Sequence, residues 1–185
     1  MSDECRQGRR NHDRARLMPS EIKYRLAQLR TATPQLRLYA LVDGFHYHQH
    51  HEQALEESPS VRGLFIGTVD EHLAPSGPWL LDAESAPFDL VSHAALLETR
   101  VASVSWIITT MELDALAHAL QSRMQMELPD GRLALLRLWD PRALASAARD
   151  FDETQRRYLF EGITEWLLLR EGRRVRIGRH DAQDH

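Results

Sequence analysis

Four histidines, His46, His48, His50 and His51, fall within six residues and follow closely on Asp43. In an extended segment the first three would share one face, because side chains alternate along a strand. Three imidazoles beside a carboxylate form a donor set for zinc or another divalent ion. A metal-dependent hydrolase using His46, His48 and His50 is therefore the one enzymatic alternative the residues offer. The spacing fits no zinc pattern and no cysteine stands nearby. Solvent-facing loop histidines, with no metal and no cofactor, are the simpler expectation.

Other chemistry finds less support. The sole cysteine, Cys5, lies in a polar, basic, aperiodic stretch (residues 1–18) that is expected to be disordered and cannot hold a base against it. There is no nucleophile elbow, no P-loop and no glycine-rich dinucleotide loop. Asp70/Glu71 and Asp152/Glu153 are sequence neighbours, whose side chains point apart, so they read as turn and helix-start charges. Arg170, Arg173, Arg174, Arg176 and Arg179 could meet RNA or an acidic protein face, or simply end a helix. Trp79, Trp106, Trp139 and Trp166 each lie in an apolar stretch and are expected in the core, although one or two could anchor a partner.

The elements that must position these residues follow from pattern. A short helix starts after Pro19, with Ser20 as its cap and Ile22, Leu26 and Leu29 on one side, and ends before Pro34. Residues 36–42 form a buried strand stopped by an Asp43-Gly44 turn, and residues 49–57 a helix. Strands follow at 61–66, 79–81 and 104–109, with a helix over 88–97. Thr109 and Glu112 form a capping-box pattern ahead of a helix burying Leu113, Leu116, Ala117, Leu120 and Met124. Residues 124–138 alternate around Pro129-Asp130-Gly131, the pattern of a β-hairpin. Asp140-Pro141 opens the next helix. Residues 152–168 form a longer one with Tyr158, Leu159, Ile163 and Trp166 turned inward. The expected fold is α/β: a mixed sheet with flanking helices, one hairpin and a helical C-terminal part.

Length and charge set further bounds. A chain of 185 residues fits one domain, here expected over 36–170 between a basic lead-in (1–35) and a polar tail (171–185). Residues 1–35 carry a net +4 and residues 36–185 a net −8. An acidic body repels phosphate backbones, which argues against nucleic acid as a partner. No run of about 18 apolar residues exists, and the start lacks the apolar core of a secretory signal. With a single cysteine, a cytoplasmic protein without disulfides is expected.

Four motifs in register carry a resemblance. They are Leu38-Tyr-Ala-Leu-Val-Asp-Gly44, Gly77-Pro-Trp-Leu-Leu81, Leu128-Pro-Asp-Gly-Arg132 with Leu136-Arg-Leu-Trp-Asp-Pro-Arg142, and Tyr158-Leu-Phe-Glu-Gly-Ile163 with Trp166. In this order they resemble the type VI secretion effector-chaperone, or adaptor, family over about residues 36–168. That resemblance implies a bacterial, non-catalytic binding protein without a cofactor, which holds a secreted effector and helps load it onto the spike-tip protein. The motif residues read as architectural: Asp43, Gly44, Gly77, Pro78, Trp79, Asp130, Gly131, Arg137, Asp140, Pro141, Arg142, Phe160, Gly162 and Trp166. Arg137 is expected to pair with Asp140 or Asp130, and the partner-binding surface is left to loops and helix faces.

Overall fold

In residues 37–43 nearly every side chain is apolar, so both faces of the strand they form must be covered. The computed structural model, which describes residues 18–127, 130–178 and 182–183, covers them with helices on either side. Strand β1 (Arg37–Asp43) lies between β3 (Pro78–Asp82) and β4 (Val104–Thr109), antiparallel to both. Beyond β3 runs the short β2 (Val61–Gly63). Beyond β4 run β7 (Ile163–Arg170), β8 (Arg173–Ile177) and the two-residue β9 (Ala182–Gln183). The order is β2-β3-β1-β4-β7-β8-β9, and all pairs are antiparallel. A separate hairpin, β5 (Gln125–Glu127) with β6 (Leu133–Leu135), pairs Gln125 with Leu135, and Asp130-Gly131 lies in its turn as expected.

Leu38, Ala40 and Val42 point to one side of the sheet and Tyr39 and Leu41 to the other, so the core divides in two. Helices α1 (Ser20–Arg30), α2 (Gly44–His51) and α3 (Phe88–Glu98) cover the first side. Helices α4 (Leu113–Met124), α5 (Pro141–Asp150) and α6 (Glu153–Leu159) cover the second. Trp79 and Trp106 fill the first core, Trp139 and Trp166 the second, and all four are buried. Among the described residues no helix is long and apolar enough to cross a membrane.

Several expectations change. Residues 1–17, with the disordered stretch and Cys5, lie outside the described residues. The helix placed in the lead-in packs on the sheet: Ile22 and Leu26 are buried in the core, worth about 1.5–3 kcal/mol each. Arg25 pairs with Glu165 on β7 and Arg30 with Glu84. Ser20 is not the cap, because it is the first helical residue after Pro19 and no side chain caps that end. The helix expected over 49–57 instead spans Gly44–His51 and begins directly where the strand stops. The Thr109–Glu112 capping box does not form; Thr109 Oγ1 instead donates to the Gly162 carbonyl at 2.6 Å. A capping box forms at Asp152 and Gln155.

The largest change is at 152–168. The helix stops at Leu159, and residues 163–170 are a strand inside the sheet. Gly162, at φ +73°, makes the break. Ile163, Thr164 and Trp166 suit a pleated surface better than a helix. The sheet also continues past residue 170, with Ile177 of β8 buried.

Candidate functional site

Asp43 carries the transition from strand to helix. Its side chain accepts from the His46 amide at 3.2 Å, and its own amide donates to the Ser103 carbonyl at 2.8 Å. The Asp-Gly pair expected as a turn is thus a helix cap, which uses the same short acceptor. Gly44 donates to the Gly77 carbonyl at 2.8 Å. A Cβ on Gly44 would stand 2.7 Å from the carbonyl oxygens of Gly77 and Pro75. Two of the motifs quoted above are therefore one structure, with Asp43 opposite Pro78 and Val42 opposite Trp79. Trp79 is aimed inward and donates from Nε1 to the Ala74 carbonyl at 3.0 Å.

The third motif joins through aromatics. The Phe65 ring lies over Gly77, and Trp139 meets it edge-on at 5.5 Å. Next to Trp139, Asp140 accepts from the Arg142 amide at 2.9 Å, with Pro141 in the first turn of α5. Burial alone would raise the Asp140 carboxyl. Hydrogen bonds and charge from Arg142 outweigh it and hold the group below the usual carboxylate range. Arg137 does not take the expected carboxylate: its guanidinium lies over the Trp139 ring at 5.7 Å, while Asp140 pairs with Arg142 and Asp130 with Arg132. In the fourth motif Phe160 packs edge-on to Trp166, whose Nε1 donates to Ser105 Oγ at 2.8 Å. The left-handed backbone at Gly131 and Gly162 explains glycine at both positions.

The histidines do not form the site that an extended chain would give. On a helix, positions two apart point to different sides while positions four apart share a face, so His48 is turned away from His46 and His50 and the three do not converge. Among the described residues no group of three His, Cys, Asp or Glu could hold a metal ion. His46 Nδ1 stands 3.2 Å from Asp43 Oδ2 without an aligned hydrogen bond. His51 instead stacks on His93 of α3, ring centres 4.2 Å apart. The Tyr47 hydroxyl, which burial pushes up to about 12, bonds His93 Nδ1 at 3.1 Å. Burial, and then the neighbouring His93, lower the affinity of His51 for a proton.

Some features were not foreseen. Phe45, Val69 and Leu73 are 53%, 83% and 45% exposed, with Phe45 on α2 and Leu73 on the adjoining 3-10 helix (Glu71–Ser76). Their apolar character was visible in the sequence, but only the fold tells an outward apolar residue from a core one. Buried Glu98 accepts from Trp106 Nε1 at 3.1 Å and pairs with Arg174, whose Nε lies 3.5 Å from Glu21. Arg123, also buried, donates to the carbonyls of Leu159, the last residue of α6, and of Glu161 just after it. Partners so far apart in sequence leave no local pattern. Of the C-terminal arginines, Arg174 is consumed by Glu98, Arg170, Arg173 and Arg176 are exposed, and Arg179 lies outside the described residues.

No curated protein and no solved structure matches the chain. Residues 38–158, which include three of the four motifs and the start of the last, match the family described as the domain of unknown function DUF4123, and the chain belongs to that family.

Proposed function

We propose that the chain is a non-catalytic adaptor, or chaperone, which binds a type VI secretion effector in the cytoplasm of the producing cell and helps load it onto the spike-tip protein. The observation that supports this most is the use made of the motif residues. Asp43, Gly44, Gly77, Trp79, Asp140 and Trp166 spend their polar atoms or close approaches on contacts inside the domain. What the motifs share is thus a scaffold, and family membership supports the same scaffold here. The apolar side chains of Phe45, Val69 and Leu73 face outward, which suits a surface made for another protein.

The test is co-expression with the effector encoded beside this chain. Binding is expected to co-purify the two and to raise the melting temperature of the adaptor. A partner at 100 times its dissociation constant stabilises the folded state by about 2.7 kcal/mol. No co-purification and no melting shift with the neighbouring effector would count against the proposal, as would turnover of a substrate that is lost in His48→Ala.

A further inference from the structure

Strands β7 and β8 are joined by Glu171 and Gly172, whose φ angles of 51° and 76° make a tight two-residue turn. Arg170 and Arg173 flank it and stand directly opposite each other in the ladder. Opposed residues of an antiparallel pair project from the same face, and like charges so placed repel. Among the described residues neither arginine has a carboxylate partner, whereas nine other described arginines do. Among the described residues the turn thus sets two arginines without an ion pair opposite each other on one face.

Beside the pair is a cavity of about 360 Å³ between α5 and the end of β7. Pro141, Ala145 and Leu168 give it an apolar wall, and Arg142, Arg170 and Glu171 stand among its lining residues. Arg176 is not part of it: opposite Leu167 in the ladder, it projects from the other face of the sheet.

We infer that this cavity and the Arg170/Arg173 pair form the docking site for an acidic segment of a partner protein, one carrying an apolar side chain between carboxylates. The inference rests on the reading of the chain as a protein-binding adaptor and assigns that reading a surface. Each guanidinium offers a planar fork that matches a carboxylate with two parallel hydrogen bonds. The apolar wall accepts the side chain between them. A polyphosphate is the poorer fit, because it has no apolar group to set against the wall of Pro141, Ala145 and Leu168.

The test uses the full chain, its Arg170→Glu/Arg173→Glu variant, and three labelled probes followed by fluorescence anisotropy in low salt. The probes are an Asp/Glu-rich peptide with one central leucine, the same peptide with serine in its place, and oligouridylate RNA. The leucine peptide is expected to bind best. The double variant is expected to lose about tenfold or more in affinity, equivalent to about 1.4 kcal/mol. A second variant, Arg173→Glu, creates an opposite-charge pair with Arg170, so its melting temperature is expected to hold or rise while binding weakens. That split separates docking from a role in folding. No binding of the leucine peptide, undiminished binding by the double variant, or tighter binding of oligouridylate overturns the inference. Co-purification with the neighbouring effector separates the two proposals. If the double variant retains the effector fully, the docking site falls and the adaptor stands; if the unaltered chain captures none, the adaptor falls.

Discussion

Gly44→Ala sets helix propensity against packing. Gly44 is the first residue of α2, and alanine in a helix is favoured over glycine by up to about 1 kcal/mol. From sequence alone the substitution should be neutral or stabilising. The structure reverses the sign. The added Cβ would stand 2.7 Å from two backbone carbonyl oxygens and 2.8 Å from Trp79 Cδ1, and the carbonyls of Pro75 and Gly77 cannot rotate away as a side chain can. Overpacking of this kind costs about 1–3 kcal/mol. Displacing Gly77 also weakens its hydrogen bond from Gly44, worth about 1 kcal/mol. The net is a destabilisation of about 2 kcal/mol, which lowers the melting temperature of a chain this size by about 4–8 °C. Thermal and denaturant unfolding of the purified variant measure it. Gly131→Ala is the comparison: its φ is +79° with open space around it, so it carries backbone strain of about 1–2 kcal/mol and no clash. Gly77→Ala meets the Phe65 ring rather than backbone, so Phe65→Leu should rescue part of its loss and none of that of Gly44→Ala. A Gly44→Ala protein melting at or above the parent temperature refutes the close approach of the two motifs.

Three further outcomes follow from the contacts. Glu98→Ala leaves Arg174 with Glu21 alone, at 3.5 Å, and Trp106 Nε1 without its acceptor; a loss of about 3 kcal/mol is expected in denaturant unfolding, with much of it recovered when Arg174→Met is added. Asp140→Ala removes the α5 cap and should cost about 1–2 kcal/mol, whereas Asp140→Asn, which can still cap, should cost less. His51 binds a proton less readily in the folded state, so its contribution is fully present above its ordinary value of 6.5 and is lost as pH falls through the lowered folded value. Melting curves collected from neutral to mildly acidic pH should therefore show a decline that is smaller in His51→Gln.

The strands and helices that announced themselves did so through one dominant local pattern. Residues 104–109 are β-branched and aromatic and form β4 as expected, and the five apolar positions of α4 are all buried. Failures came where one pattern serves two structures. Leu159, Ile163 and Trp166 recur at helical spacing, yet Gly162 starts a strand between them because β4 takes its partner from that segment. Asp43-Gly44 has the composition of a turn and also of a helix start. The histidine cluster was drawn together by assuming an extended backbone, and the helix disperses it. The arginine pair lay in plain view as composition, but its meaning needed the ladder that sets Arg170 against Arg173 and the absence of a carboxylate for either among the described residues.

The interior position of β7 has a consequence for how the chain is made and cut. The family match ends at residue 158, and the strand that completes the hydrogen bonding of β4 starts at Ile163. A fragment trimmed to the match would turn β4 into a raw edge, an invitation to intermolecular pairing and aggregation. During synthesis the same edge stays open until residues 163–170 have left the ribosome, so β4 waits on β7 for its second partner. The stretch matched by the family and the stretch that completes the hydrogen bonding of β4 are therefore different.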